Sequence, residues 1–315
     1  MAILTRNKTL LAKEESVYGS DPTPTVAANA IECKNVKVNY PADTQERDTV
    51  RGDLSPVSPV TGKYYAEISF DVELKGSGTK GTAGKLGDLL EACAFAETVS
   101  AGSSVVYKPT SDSIKSITIY DYEHVSAGSS RLHKITGARG TVSLKLTAGQ
   151  VAMLSFAFKG KYNAPADVAR PDAPTIETTV PPVVKSASFS LNSVTSLVVQ
   201  ELSLDMQNEV VQEDDMNDAS SLKGFLITSR KPSGSFNPEA VQVSTYDFWT
   251  DWIAATARAL SVVVGSADGN KVTITAPKVT LGAINEGERN GIRTEEIPFR
   301  LSRNAGNDEI ELKFE

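Results

Sequence analysis

Long stretches of the chain alternate between apolar and polar residues, as β-strands with one buried face do. From residue 65 to residue 74 every second residue is apolar, and the residues between them are mostly polar. Residues 142–146 and 154–158 alternate in the same way, and the turn-forming run Thr147-Ala148-Gly149-Gln150 lies between them. This arrangement predicts a β-hairpin, and the alternation as a whole predicts a mainly β protein.

Two short segments show the wider spacing of an amphipathic helix. The apolar stripe of the first consists of Leu86, Leu89, Leu90, Cys93 and Ala94. The stripe of the second consists of Phe248, Trp249, Trp252, Ile253 and Ala257. Ser244 or Thr245 can cap the second helix. We expect both stripes, including Trp252, to pack on a sheet.

The second half of the chain repeats the order of elements of the first half, with little identity between residues. Each half contains an alternating strand, a polar loop, a second strand, one helix and a closing hairpin. The last hairpin is predicted from residues 297–301 and 310–314, around a turn at 304–307. Such repetition indicates a duplicated architecture. We therefore predict two tandem β-sandwich or barrel domains, each with one flanking α-helix.

Proline and glycine mark the boundaries of these units. Residues 1–30, with the run Asp21-Pro22-Thr23-Pro24-Thr25, predict an N-terminal arm without a core of its own. Residues 31–163 form the first predicted domain, the proline-rich residues 164–182 a linker, and residues 183–315 the second domain. The loop at 41–63 is too long for a hairpin turn and suits contact with a partner.

Composition narrows the possible functions. The 315 residues carry a formal charge of -7, which argues against a surface that grips nucleic acid. The N-terminus lacks the apolar run of a signal peptide, and no apolar run approaches the ~20 residues that cross a bilayer. We therefore expect a protein without membrane contact. Cys33 and Cys93 are too few for a disulfide framework and are interpreted as partly buried, reduced thiols.

The chain offers little material for catalysis, and we expect neither an enzyme nor a bound cofactor or metal. Residues 76–81 are rich in glycine, follow a strand and precede a helix, as a nucleotide-binding loop would. The strand before that motif is normally apolar on both faces, whereas this one alternates, so a flexible connection is favoured. His124 and His133 could be two metal ligands across a hairpin, and ordinary surface histidines are favoured. Residues 213–215 could bind a divalent cation but lack calcium-loop spacing, so a solvated acidic loop is favoured.

One segment carries a family resemblance. The stretch Leu11-Ala12-Lys13-Glu14-Glu15-Ser16-Val17-Tyr18-Gly19-Ser20-Asp21-Pro22-Thr23-Pro24-Thr25, continuing to Ala30, resembles the opening of tail tube proteins from long-tailed, siphophage-type bacteriophages. The resemblance implies a tail-tube-type β-sandwich with one helix per domain, and rings that stack into a hollow tube for genome ejection. It also implies a virion protein made in the host cytoplasm. The implied partners are tape-measure, tail terminator and distal tail proteins, with transient passage of DNA.

Two domains per chain change the expected ring. Family members with one domain form hexamers, so a duplicated chain is expected to close a trimeric ring with pseudo-sixfold symmetry, with a true hexamer as the alternative. Acidic residues in a channel would repel a passing polyanion. The candidates for the lumen are polar positions of two alternating strands: Glu67, Ser69, Asp71, Glu73, Glu201, Ser203 and Asp205, with Tyr65 as a further candidate. A two-domain surface or adhesion module is the alternative function.

Overall fold

The computed structural model describes residues 3–315, and it is mainly β with two short helices among these residues. The elements of the first half are β1 (Lys8–Glu14), β2 (Ala30–Ile31), β3 (Lys34–Asn39), β4 (Ala42–Gln45), β5 (Val60–Tyr64), β6 (Ala66–Glu73), α1 (Gly87–Glu91), β7 (Phe95–Ser100), β8 (Ser104–Pro109), β9 (Ile117–His124), β10 (Ser129–Thr147), β11 (Met153–Tyr162) and β12 (Ala166–Ala169). Those of the second half are β13 (Ser190–Leu191), β14 (Val199–Asp205), β15 (Asn208–Asp214), β16 (Leu222–Arg230), β17 (Ser233–Pro238), α2 (Phe248–Ile253), β18 (Arg258–Val264), β19 (Val272–Leu281), β20 (Asn285–Arg289), β21 (Ile292–Leu301) and β22 (Glu311–Phe314). The prediction of a mainly β fold is confirmed.

The largest layer is an antiparallel sheet that runs through both halves of the chain. Its strand order is β3-β6-β11-β10-β14-β17-β21-β19. We call it the eight-strand sheet. The pair β10–β14 joins the two halves, with Ser143 opposite Asp205 and Thr147 opposite Glu201. The two halves therefore share one continuous sheet.

A second layer packs against this sheet. In the first half β9 lies between β1 and β10, and β10 also pairs with β12. In the second half the order is β13-β18-β19-β22, and the hairpin β7–β8 of the first half extends it through β22. β10 passes from one layer to the other at an irregularity after Ile135, where Gly137 adopts a φ of +61° that favours glycine.

The core lies between the layers. Alternation buries one face of each strand, so Phe70, Phe156 and Phe158 pack together, with ring centroids 5.8 to 5.9 Å apart. In the second half, Phe236 packs against Phe248 of α2 and Phe299 of β21. These residues belong to a single apolar cluster that spans both halves.

Seven strand pairings of the first half have a counterpart in the second half, in the same chain order. The counterparts are β1–β9 and β13–β18, β3–β6 and β14–β17, β4–β5 and β15–β16, β6–β11 and β17–β21, β9–β10 and β18–β19, β10–β11 and β19–β21, and β10–β12 and β19–β22. Within the described residues, a hairpin equivalent to β7–β8 follows α1 but not α2.

Among the connections, the expectation for the loop at 41–63 is wrong, and the predicted arm and linker each contain a strand. Residues 8–14 of the predicted arm form β1, because Leu10 and Leu11 are apolar enough to be buried between β2, β9 and the core. The predicted linker contains β12, which pairs with β10. The loop at 41–63 is a hairpin of β4 and β5, and residues 46–59 at its tip lack regular structure and are almost wholly exposed.

Two predictions for the second half are also wrong. β21 and β22 do not form the expected closing hairpin, because β22 pairs instead with β19 and β8. The second helix ends at Ile253, and Asp247 rather than Ser244 or Thr245 caps it by accepting the Thr250 N–H. Trp252 is 40% exposed, so it is not a core residue. The first helix agrees better with its prediction, since its whole apolar stripe is buried.

Candidate functional site

The eight-strand sheet presents one polar face away from the core. Along β6, burial alternates strictly, with Ala66, Ile68, Phe70 and Val72 facing the core. The four predicted polar candidates of this strand therefore share the opposite face: Glu67, Ser69, Asp71 and Glu73.

The candidates of β14 lie on the same face of the same sheet. Directly opposed residues in an antiparallel sheet point to the same side. Asp71 of β6 is opposite Ser155, Ser155 is opposite Ser143, and Ser143 is opposite Asp205 of β14. A shallow depression lined by these four residues, among others, marks the middle of the face. The structure thus brings Glu201, Ser203 and Asp205 together with the β6 residues on what we call the polar face.

Lysines balance most of the carboxylates on the polar face. The Nζ–Oε1 distance is 2.7 Å for Lys34–Glu73, 2.9 Å for Lys145–Glu201 and 3.8 Å for Lys159–Glu67. Exposed pairs like these contribute about 0 to 1 kcal/mol each to stability. Their main effect is therefore on the electrostatic potential of the polar face. The polar face is therefore less negative than its acidic residues alone indicate. The sequence could have revealed Lys145 and Lys159, because both alternate with buried residues on their strands.

Neutral groups complete the polar face. Asp71 accepts hydrogen bonds from Asn35 Nδ2 at 2.7 Å and Ser155 Oγ at 2.6 Å. Ser203 and Ser235 are joined through their hydroxyl groups at 2.8 Å. Such a face exchanges hydrogen bonds with water.

The acidic residues 213–218 span the end of β15 and the partly exposed turn after it. Lysines pair with three of them: Lys223 lies 2.6 Å from Glu213, Lys63 lies 2.6 Å from Asp214, and Lys161 lies 2.8 Å from Asp218. The hydrogen bond from Lys161 lowers the pKa of Asp218 to about 2. These ion pairs offset part of the negative charge of the segment.

The two histidines are buried, so the prediction of surface histidines is wrong. Both ring nitrogens of His124 are hydrogen bonded, to Thr9 at 2.9 Å and to Ser130 at 2.8 Å, and burial lowers its pKa. His133 contacts Tyr40 and the Glu123 carboxylate. The residue opposite His124 across the hairpin is Ser130 and not His133. Each histidine therefore joins strands through its own protein partners.

The two thiols are free. Cys33 is half-buried, and burial raises its pKa to about 12. Cys93 is fully buried, which raises its pKa well above the usual range. Both thiols are therefore poor nucleophiles at neutral pH.

The glycine-rich segment at 76–81 makes a close backbone contact rather than an open phosphate-binding loop. Gly76 N–H donates to Asn270 Oδ1 at 2.9 Å, and Gly78 N–H donates to the Gly269 carbonyl at 3.1 Å. A Cβ on Gly76 would lie 2.1 Å from that carbonyl oxygen, so only glycine fits. The segment thus fastens the first half to the β18–β19 turn.

One carboxylate cluster is not predicted by the sequence patterns. Oxygen atoms of Glu14, Asp88 and Glu91 all lie within 4.8 Å of one another, a spacing that could suit a cation. Lys115 bonds to Glu14, and the Glu14 N–H donates to Asp88 at 3.2 Å. Burial, and then the charge of Glu14, raises the pKa of Glu91 to about 7. The cluster joins β1 and α1, which are distant in sequence, so local patterns carry no signal for it.

A comparison with protein families decides the identity. A family model described as phage tail tube protein matches residues 5–301, nearly the whole chain. The chain belongs to the phage tail tube protein family. As a tail tube protein it is a structural component of the virion tail that assembles into a tube and associates with other tail components.

Family membership favours this structural function over an adhesion module or a nucleotide-dependent enzyme. A search of curated proteins found no match to the chain. Both helices in the described part of this tail tube protein are only one or two turns long, and neither could cross a bilayer.

Proposed function

We propose that three copies of this chain close a ring, that the rings stack into the tube of a long, non-contractile tail, and that the genome passes through its lumen into the host cell. The observation that carries the proposal is the β10–β14 joint, where the second half of the chain continues the sheet of the first. A joint of the same kind between chains would continue the sheet around a ring.

The two ends of the eight-strand sheet suit such a joint. β3 is the counterpart of β14, and among the described strands it pairs with β6 alone. The pairs Arg139–Lys159 and Thr280–Arg300 occupy equivalent positions, so the counterpart of the β10 segment that meets β14 is β20, which follows β19. Among the described strands, β20 pairs with β21 alone. Strand edges with open hydrogen-bonding groups readily accept another strand. We infer that β3 of the next chain adds to β20 of this chain.

The strand count supports a trimer. Three chains with eight strands each would give a barrel of 24 strands. At about 4.8 Å between strands and a tilt of about 40°, such a barrel has a backbone diameter of about 40 to 50 Å. That width accommodates side chains and a DNA duplex. A hexamer using all eight strands of each chain would double it, which is why we favour three chains with pseudo-sixfold symmetry.

The polar face is our candidate for the lumen wall. In a closed barrel the apolar face must contact the second layer, so the polar face meets the water-filled channel. Its carboxylates, paired with lysines, offer DNA phosphates no concentrated positive charge to bind. We therefore assign Glu67, Ser69, Asp71, Glu73, Glu201, Ser203 and Asp205 to the lumen. The tape-measure protein would occupy this channel before ejection, and the terminator and distal tail proteins would contact the tube ends.

Ring composition tests the proposal. We expect native mass spectrometry of purified rings to give three chains of 33.6 kDa, and electron micrographs of end views to show six similar density units around a hole. Six chains per ring would support the hexamer instead. Solid filaments without a hole would contradict the conduit.

A further inference from the structure

The second helix leaves an apolar surface uncovered. Trp249 is 37% exposed, Trp252 40% and Ile253 78%, and Ala254 and Ala255 after them are exposed as well. Between residues 248 and 257 the one charged residue is Asp251, which is buried and paired with Arg258. A contiguous exposed surface without charge is typical of an interaction site. We call it the α2 face.

The first half shows what covers the equivalent surface of α1. Each helix is followed by a residue with left-handed backbone geometry, Ala94 after α1 and Ala255 after α2, which aligns Cys93 with Ala254. Ala92, Cys93 and Ala94 are fully buried, and the Cys93 carbonyl accepts a hydrogen bond from Asn208 Nδ2 at 2.8 Å.

Asn208 begins β15, so part of this cover comes from the half that follows along the sheet. The hairpin β15–β16 also packs over β10 and β11, where Phe225 is completely buried. Arg139 donates to the Phe225 carbonyl at 2.9 Å, and the Phe225 N–H donates to the Tyr18 hydroxyl at 2.7 Å. The hairpin of the second half thus closes the first half.

The counterpart of that hairpin has no comparable partner among the described residues. β4 and β5 pair with each other, and their base reaches Tyr162 and Asp214 through Tyr64 and Lys63. The tip exposes Val50 and Leu54 completely, and β5 exposes Val60. The chain therefore has an unoccupied hairpin at one end of its sheet and the α2 face at the other.

We propose that the α2 face is a subunit interface, covered in the ring by the β4–β5 hairpin of a second copy of this chain. The proposal rests on the ring of the proposed function and names the side-chain surface that closes it. The arrangement repeats the contact inside the chain, where the β15–β16 hairpin of the second half covers α1 of the first half. By the same rule, α2 is covered by the β4–β5 hairpin of the next chain.

Two assembly variants test the interface. The first is Trp252→Glu with Ile253→Asp, which places charge on the α2 face. The second replaces residues 47–58 by a short Gly-Ser segment and keeps β4 and β5. We expect each variant alone to stay monomeric by light scattering coupled to size exclusion, with the far-ultraviolet circular dichroism of the wild type. An equimolar mixture should form dimers of one copy each, because each variant retains the surface that the other has lost.

Val180→Asp is the matched control, because Val180 is exposed in the segment between the halves, and we expect it to form rings like the wild type. Normal rings from the α2 variant would overturn the interface while leaving the tube proposal intact. Rings without tubes from the hairpin variant, or a mixture that stays monomeric, would overturn the assigned partner. If the wild type and Val180→Asp also stay monomeric, the ring and this interface are both contradicted.

Discussion

At the scale of single residues, the aromatic rings between the layers fix the sheet faces. Phe70 is 2% exposed and packs against Phe156 and Phe158 from the neighbouring strand. Trp252 has the same apolar character, yet it projects from a helix of six residues and remains partly exposed. The two aromatics therefore contribute differently to the stability of the isolated chain.

We expect Phe70→Ala to lower the free energy of unfolding by about 3 to 5 kcal/mol, because it leaves a cavity in a packed core. Trp252→Ala should change it by about 0.5 kcal/mol or less, as is usual for surface positions. Urea denaturation of the monomer measures both values. Equal losses at the two positions would contradict the assigned faces.

Glu15 is a buried carboxylate with a full set of donors. It accepts hydrogen bonds from the N–H groups of Gly19 and Gly137, both at 2.7 Å, and from the hydroxyls of Ser116 and Thr118 at 2.7 and 2.6 Å. It thus attaches the segment after β1 to the irregularity in β10. Glu15 lies in the stretch of sequence that carries the family resemblance, and these bonds give the residue a structural function.

Glu15→Gln replaces one acceptor oxygen by a donor that faces other donors. We expect a loss on the order of 3 kcal/mol in the free energy of unfolding. Glu14→Gln is the matched control, since the neighbouring carboxylate belongs to an acidic cluster whose repulsion the change relieves. A loss at Glu14→Gln as large as at Glu15→Gln would contradict this account.

Glu91 gives the tail tube protein a pH dependence. Burial raises its pKa from 4.5 to about 7, so between these values the folded chain binds this proton more tightly than the unfolded chain does. The contribution of Glu91 to stability therefore falls as pH rises from about 4.5 to about 7. We expect Glu91→Gln to lose less stability than the wild type between pH 5 and pH 7.5 in urea titrations. Parallel pH profiles of the two proteins would contradict the shift.

At the scale of elements, contacts with the other half decide the position of the β15–β16 hairpin. The Tyr18 hydroxyl donates to the Gly137 carbonyl at 3.0 Å and accepts the Phe225 N–H, and Arg139 lies over the Tyr18 ring. Gly224 permits this approach, because a Cβ there would lie 2.3 Å from the Tyr18 hydroxyl oxygen. One tyrosine thus joins the N-terminal segment, the first half and the hairpin of the second.

We expect Tyr18→Phe to cost about 1 to 2 kcal/mol and to speed hydrogen exchange at the Phe225 amide, because both bonds of the hydroxyl are lost. Tyr64→Phe is the control, since the aromatic contact of Tyr64 with Tyr162 needs no hydroxyl. Unchanged exchange at Phe225 in Tyr18→Phe would show that other contacts hold the hairpin.

At the scale of the whole molecule, the polar face becomes the wall of a channel only when the proposed ring closes. Within one chain it is an open surface, and in the proposed tube the same residues are reachable only through the channel. Accessibility to reagents of different size therefore reports whether the face lines the lumen.

We expect Ser69→Cys and Ser203→Cys to react with a small maleimide in both monomers and tubes. A maleimide on a large polyethylene glycol should react in monomers and be excluded from tubes, because the channel admits only slender molecules. Gel shifts measure both reactions, and each monomer serves as the control for its own tube. Full labelling of intact tubes by the large reagent would place these residues on the outside.

The sequence by itself determined the local properties of this tail tube protein. Alternation identified β6 and β14 and the polar residues that share one face on each, because the two-residue period of a strand is a local property. The apolar stripe of α1 and the close turn between β10 and β11 were predictable for the same reason. The alternation also indicated a mainly β fold, and the residues after Leu11 indicated the family.

Tertiary structure alone decided which strands meet. The period of β22 shows which of its faces is buried, but it does not identify β19 and β8 as the neighbouring strands. The apolar residues of α2 predict a buried helix face, whereas in the described chain this face is exposed. His124, Glu15 and Tyr18 likewise bond to residues about 100 or more positions away. Such pairings depend on packing and chain closure across the whole molecule, which a local pattern cannot encode. The β10–β14 joint is of this kind, and it turns two alternating sequences into one sheet.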